Sequence, residues 1–305
     1  MNWFFIALIG PFLYALSNHI DKILLQKYFK EGGVGTLILF SSLLSAMVLP
    51  FIYLADKTVL DIDGISILVL AVVGILNVMV LWCWLLALKT EEASVAVVFY
   101  QLVPVFGCIL GYFILGEILT QLQIIAIATV ILGTTIISFE VDSENKFKLR
   151  RKTIIPMTAA AFFWALGSVL FKTIALEEKL WRTIFWEHLM LTFVGLCIFI
   201  FVRSYRNNFI SAIKNNSKEI ISLNVANEAL YIFGNIAYSI AYLLAPVGLV
   251  LLAESFQPIF VLLIGVFLTI FFPHISSEKI QAKHLWPKII AICITGIGTY
   301  LLFMK

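Results

Sequence analysis

FLYALSNHIDK (Phe12–Lys22) returns at an offset of 150 as FFWALGSVLFK (Phe162–Lys172). Aromatic lies over aromatic at Tyr14 and Trp164, Ala-Leu over Ala-Leu, Asn18 over Ser168, and Lys22 over Lys172. A second pair follows at an offset of 154, where VFYQLVPVFGCILGYFIL lies over LAESFQPIFVLLIGVFLT, with Pro104 over Pro258 and Gly111 over Gly265. Any two apolar helices look somewhat alike. Matched Pro, Gly and Lys in the same order are harder to reach that way, so the chain reads as two copies of one unit.

The surroundings of these stretches say what the unit is made of. Of the 305 residues, 62% are hydrophobic and 13% charged, and mean hydropathy is +1.03. An ordinary soluble domain carries roughly 25% charged residues. No soluble fold hides that much apolar surface, so the solvent of this chain is lipid. A membrane span needs about 20 mostly apolar residues, and ten such runs can be marked, near 3–25, 34–55, 65–88, 94–115, 121–139, 153–175, 184–203, 220–243, 247–272 and 285–303. In lipid a backbone satisfies its own hydrogen bonds only as a helix or a closed barrel. Barrel strands alternate apolar and polar residues, and these runs do not.

The expected fold is therefore all-α and polytopic: ten transmembrane helices as two inverted five-helix repeats. The first repeat covers 1–140, a basic connecting loop 141–152, and the second repeat 153–305. The inversion follows from the odd number of helices in each half, which makes the second copy enter from the opposite side. In secondary transporters that architecture places the binding site near the midplane, between the halves.

Other features exclude function classes. Net charge is only +3, without a block of like charges, so nucleic acid is not an expected partner. Cys83, Cys108, Cys197 and Cys293 lie in apolar runs without metal-ligand spacing and read as packing residues. No metal or cofactor is expected. The opening MNWFFIALIG lacks a positive n-region, so the first run is expected to be retained as a helix. The loops between helices 1–2, 3–4, 5–6, 7–8 and 9–10 hold most of the 21 Lys and Arg. The positive-inside rule then puts those loops in the cytoplasm and both termini outside the cell membrane.

Two five-helix copies, each with an aromatic–small–small opening helix ending in Lys, resemble the EamA-type transporters of the drug/metabolite transporter superfamily. The clearest match is YQLVPVFGCILGYFILGEILTQLQIIAIATVILGTTII: a proline-bearing helix, a Gly-Glu turn at Gly116 and Glu117, and a helix with a late glycine, Gly133. The second copy departs from the pattern, with FFPHISSEK where the first has LGEILTQ. The resemblance implies a ten-helix metabolite carrier, often an exporter of amino acids or similar solutes.

Ionisable groups inside membrane spans cost about 2.5–3.5 kcal/mol on insertion scales, so each is a functional candidate. On helix 1, Tyr14, Ser17, Asn18, Asp21 and Lys22 recur at helical spacing. Asn18 stands about 22 Å along from Trp3 and is expected inside the membrane. Lys22 is expected to snorkel to headgroups, and His19 to pack or sit at the interface. Helix 8 places Asn227, Glu228, Tyr231, Asn235, Tyr238 and Tyr242 roughly on one face, and helix 9 adds Glu254, Ser255 and Gln257. Tyr100 and Gln101 are the helix 4 counterparts, Trp164 and Ser168 those of helix 1.

The expected substrate cavity is thus Ser17, Asn18, Tyr100, Gln101, Trp164, Ser168, Asn227, Tyr231, Asn235, Tyr238 and Ser255. Pro104 and Pro258 are expected hinges, since each removes a backbone donor and frees the carbonyls one turn back. Asp21, Glu228 and Glu254 are coupling candidates, with protons as a candidate partner. Glu228 and Glu254 are expected about 12 and 10 Å in from opposite faces. Glu187 and His188 read as headgroup-level residues beside Trp181, Arg182 and Trp186. Gly107 and Gly111 read as internal packing rather than a dimer face, so a monomer is favoured.

The function these features favour is a secondary transporter, an exporter of a small metabolite such as an amino acid or amine-bearing solute. It would work by alternating access around a central cavity. No phosphate-binding loop for ATP is present. A receptor or channel-like protein is the alternative. An intramembrane enzyme is less favoured, for neither H-E-x-x-H nor G-x-S-x-G occurs.

Overall fold

The structure is a computed structural model that describes residues 2–29, 33–116, 120–137, 139–141, 147–215, 217–273 and 282–303. Among the described residues the apolar runs of the sequence are helical, apart from Phe139, Val202 and Phe272, each at or next to the end of its run. The first half holds α1 (Asn2–Ile23), α2 (Gly33–Leu44), α3 (Leu49–Ala55), α4 (Gly64–Thr90), α5 (Ala93–Ala96), α6 (Leu102–Leu115) and α7 (Gln121–Ile137). The second holds α8 (Arg151–Glu177), α9 (Leu180–Phe201), α10 (Arg203–Asn215), α11 (Ser217–Leu244), α12 (Val247–Leu251), α13 (Gln257–Phe271) and α14 (Ala282–Phe303). By length and composition, seven helices among the described residues could cross a membrane: Trp3–Tyr28, Gly33–Ala55, Gly64–Thr90, Ala93–Ile114, Arg151–Glu177, Leu180–Phe201 and Ala253–Phe271. The apolar stretches of α7 and α14 are shorter, and α11 carries the polar stripe. The chain is a multi-pass integral membrane protein.

Two connections differ from the sequence reading. The connecting loop holds a short antiparallel hairpin, β1 (Phe139–Val141) with β2 (Phe147–Leu149). The polar stretch RSYRNNFISAIKN, which lies between the apolar runs near 184–203 and 220–243, is the helix α10. Its Phe209 ring lies 4.6 Å from that of Phe40 on α2, and its Tyr205 ring fills the space where Gly35 of α2 has no side chain. Glu117 of the expected Gly-Glu turn, and most of FFPHISSEK, lie outside the described residues. Gly116 ends α6 at φ 70°, a left-handed value that glycine adopts without Cβ strain.

Helix packing follows a pattern. In the interior, α1 packs on α11 and α13, while α8 packs on α4 and α6. The pairs α2 with α9, and α7 with α14, cross between the halves. Outward faces are apolar: Phe5, Ile9 and Phe12 of α1, Ile124 and Leu132 of α7, Phe193 and Ile200 of α9, and Ile290 and Ile297 of α14 are exposed. Such large apolar surfaces mark a membrane-facing protein.

The ends of helices are tied by charges. Lys22 does not snorkel to headgroups. Its Nζ donates to the Leu88 carbonyl at 2.5 Å and to that of Glu91, at the C-terminal end of α4. Lys172 donates to the Ala245 carbonyl at 3.0 Å, just past the end of α11. Each lysine thus meets orphan carbonyls at the negative end of a helix dipole. Just beyond α4, Glu91 pairs with Arg150 and Glu92 with Lys288.

Candidate functional site

Among the described residues, two cavities between the interior helices share a wall, a septum. The larger is lined by Tyr14, Ser17, Asn18 and Asp21 of α1, Leu37, Ser41 and Ser42 of α2, Asn77, Val78, Val80, Leu81 and Trp84 of α4, and Tyr100. Trp164, Leu191, Gln257 and Asn224, Asn227, Glu228 and Tyr231 of α11 complete it. The space open to the centre of a water-sized sphere is about 90 Å³. By that measure one water needs about 10–15 Å³, so the space suits a small solute. The smaller cavity, about 30 Å³, is lined by Ser168 and Phe171 of α8, Glu187 of α9, and Asn235, Tyr238, Ser239 and Tyr242 of α11, among others. Tyr14, Asn77, Trp164 and Tyr231 line both.

The septum is a cluster of rings. Tyr14 stacks on Tyr231 at 5.4 Å and on Tyr238 at 5.8 Å, and meets Trp164 edge-on at 5.6 Å. Trp164 meets Tyr100 at 4.9 Å, and Tyr100 stacks on Trp84 at 5.5 Å. Offset and edge-to-face pairs of this kind contribute about 0.5–1.5 kcal/mol beyond area burial. Local sequence makes room for them: the absent side chains of Gly234 and Gly10 leave space for the Tyr14 and Tyr238 rings.

The acids of the site are held by neutral donors. Asp21 accepts from Trp84 Nε1 at 3.0 Å and from Asn227 Nδ2 at 2.7 Å. Glu228 accepts from Ser41 Oγ at 2.5 Å. Glu187 accepts from Asn77 Nδ2 at 3.1 Å and, at the long limit of 3.5 Å, from Asn235 Nδ2. Tyr242 donates to Ser168 Oγ at 3.0 Å. Among the described residues none of these carboxyls meets a Lys or Arg in an ion pair, and none groups with others into a metal site.

The sequence candidates divide between the cavities. Ser17, Asn18, Tyr100 and Asn227 line the larger, with Asp21 and Glu228; Ser168, Asn235 and Tyr238 line the smaller; Trp164 and Tyr231 belong to both. Gln101 and Ser255 are buried but line neither, nor does Glu254, which is fully buried near the Tyr238 hydroxyl. Directly before Pro104 and Pro258 the helix tightens into 3₁₀ turns, Val97–Gln101 and Leu252–Phe256. His19 is buried, with Nε2 2.9 Å from the Val261 carbonyl oxygen.

The headgroup reading of Glu187 and His188 fails. Both are buried, Glu187 on the wall of the smaller cavity and His188 with Nδ1 2.6 Å from Ser45 Oγ. The helix begins at Leu180 rather than near 184, which carries both about one turn deeper. Asn77, Trp84 and Ser41 were not singled out either. A lone amide in the apolar run GILNVMVLW was the available signal for Asn77.

Residues 1–139 match the EamA-like transporter family. This part of the chain is similar to the EamA-like transporter unit. That family belongs to the drug/metabolite transporter superfamily, and its members are transporters. No curated protein matches the chain. Among solved structures, a crystal structure of a protein superposes at a TM-score of 0.59 with 15% identity, over 98% of this chain and 98% of that one. At that identity the likeness is one of fold.

Proposed function

We propose that the protein is a secondary transporter that exports a small, amine-bearing metabolite by alternating access. In this reading ten helices span the cell membrane as two inverted repeats, 1–140 and 153–305, joined by 141–152. Both termini lie outside, as the Lys and Arg distribution suggests. Export as the direction follows the EamA resemblance. Substrate binds in the larger cavity, Pro104 and Pro258 act as hinges, and the buried acids Asp21, Glu228 and Glu254 are available to carry protons.

The observation that carries this reading is the composition of the septum. At the repeat offsets Tyr14 corresponds to Trp164, and Asn77 to Tyr231, and these four residues line both cavities. The septum thus maps onto itself when the halves exchange. Helix pairs do the same: α1 with α11 becomes α8 with α4, and α1 with α13 becomes α8 with α6. The two lysine caps also correspond. Two unequal cavities about a self-corresponding septum suit a carrier that opens one side while closing the other.

Single cysteines at Asn18 and Ser168, in a background without native cysteines, test it. A membrane-impermeant thiol reagent should reach Asn18→Cys from the cytoplasmic face and Ser168→Cys from the outer face. A transported solute should raise one rate as it lowers the other. Simultaneous labelling of both sites from one side would favour a channel and overturn the reading.

A further inference from the structure

We propose that the larger cavity selects an organic cation, an amine with a flat apolar body and no carboxylate. The inference rests on the carrier reading for where the solute binds, and it decides between an amino acid and an amine. Asp21 and Glu228 both line the cavity and are about 95% buried or more, at 5% and 2% relative exposure. No Lys, Arg or His lines it among the described residues. Glu228 Oε1 has no protein donor, and Asn18, with Nδ2 likewise uncommitted, faces the same space.

Apart from the Asn18 and Gln257 amides, the side-chain amide and indole donors on the cavity wall that could have served a carboxylate are engaged. Trp84 and Asn227 donate to Asp21, Ser41 to Glu228, Asn77 to Glu187, and Asn224 to the Ile220 carbonyl. An incoming carboxylate would meet neutral amides and phenols, two protein acids and no cation. Uncompensated charge in a dehydrated site is strongly disfavoured. An ammonium group meets the opposite situation, with Glu228 Oε1 as acceptor. The rings of Tyr14, Trp84, Tyr100 and Trp164 form a connected aromatic wall beside it, where a cation is attracted to ring faces. Zwitterions are thus discriminated against by an unpaired charge rather than by size.

Phenethylamine and phenylalanine differ by the carboxylate alone and lack tryptophan fluorescence, so both can be titrated against Trp84 and Trp164 emission in the purified full chain. Phenethylamine should give a saturable change. Phenylalanine should bind at least about tenfold more weakly, which is about 1.4 kcal/mol. Asp21→Asn, or Glu228→Gln should that variant fail to fold, should weaken phenethylamine by about the same factor, with the melting transition retained. Phenylalanine binding as well as or better than phenethylamine overturns the assignment, and so does phenethylamine without a saturable signal at millimolar concentration. In either case, alternating labelling of Asn18→Cys and Ser168→Cys would leave the carrier reading standing.

Discussion

Replacing Gly234 by alanine tests whether the septum is as tightly packed as its geometry implies. A Cβ at Gly234 would stand 2.6 Å from Tyr14 Cε1, 3.1 Å from Cδ1 and 3.2 Å from Cζ. Carbon atoms settle at about 3.5–4.0 Å, so the ring must retreat by about 1 Å. It has little room, since Tyr231, Tyr238 and Trp164 all lie against it. Overpacking of this kind costs about 1–3 kcal/mol. Alanine in a helix interior returns about 1 kcal/mol relative to glycine. The net effect on stability should fall between neutral and about 2 kcal/mol destabilising, so the variant should fold. The cost should appear where the ring sits, as altered thiol labelling of Ser168→Cys behind the septum. Adding Tyr14→Leu should relieve the clash, and a double-mutant cycle by thermal unfolding should show coupling above about 0.5 kcal/mol. A Gly234→Ala protein that gains the full helix increment, with no coupling to Tyr14→Leu, would refute the packing argument.

Two further outcomes follow from the same geometry. Lys172→Met should lower stability by about 1.5–3 kcal/mol, the range for hydrogen bonds to charged groups, and Lys22→Met by a similar amount, both read by thermal unfolding; a silent Lys172→Met would remove its role as a helix-end cap. Trp84→Phe keeps the ring stacked on Tyr100 but deletes the indole donor to Asp21. It should therefore weaken phenethylamine binding less than Asp21→Asn does, and equal losses in a titration would show that Trp84 does more than orient the acid.

Hydropathy alone determined that the chain is a bundle of apolar helices, because a backbone in lipid has no other partner than itself. The repeat was legible for a similar reason. Proline, glycine and lysine have positional meaning within a helix, so Pro104 over Pro258 and Lys22 over Lys172 survive as matches where interchangeable Leu, Ile and Val do not. The stripe of α11 was legible as well, since Asn227, Glu228, Tyr231, Asn235 and Tyr238 share a face at helical spacing. What that face meets was not. One stripe serves two cavities, and Tyr231 lies at the partition between them, a fact about how α1, α4 and α8 close around it.

The same limit explains the rest. Depth in the membrane follows from where a helix starts, and a few residues at the start of α9 moved Glu187 from the surface to a cavity wall. Lys22 has the reach to snorkel, and only the placement of the α4 terminus turns it inward. Asn77 is one amide among apolar neighbours, and its place at the septum exists only once α4 is packed against α8. Local sequence specifies each helix because its hydrogen bonds close within four residues. Sites are made from residues as far apart as Asp21 and Asn227, and only the packed tertiary structure decides which of them meet.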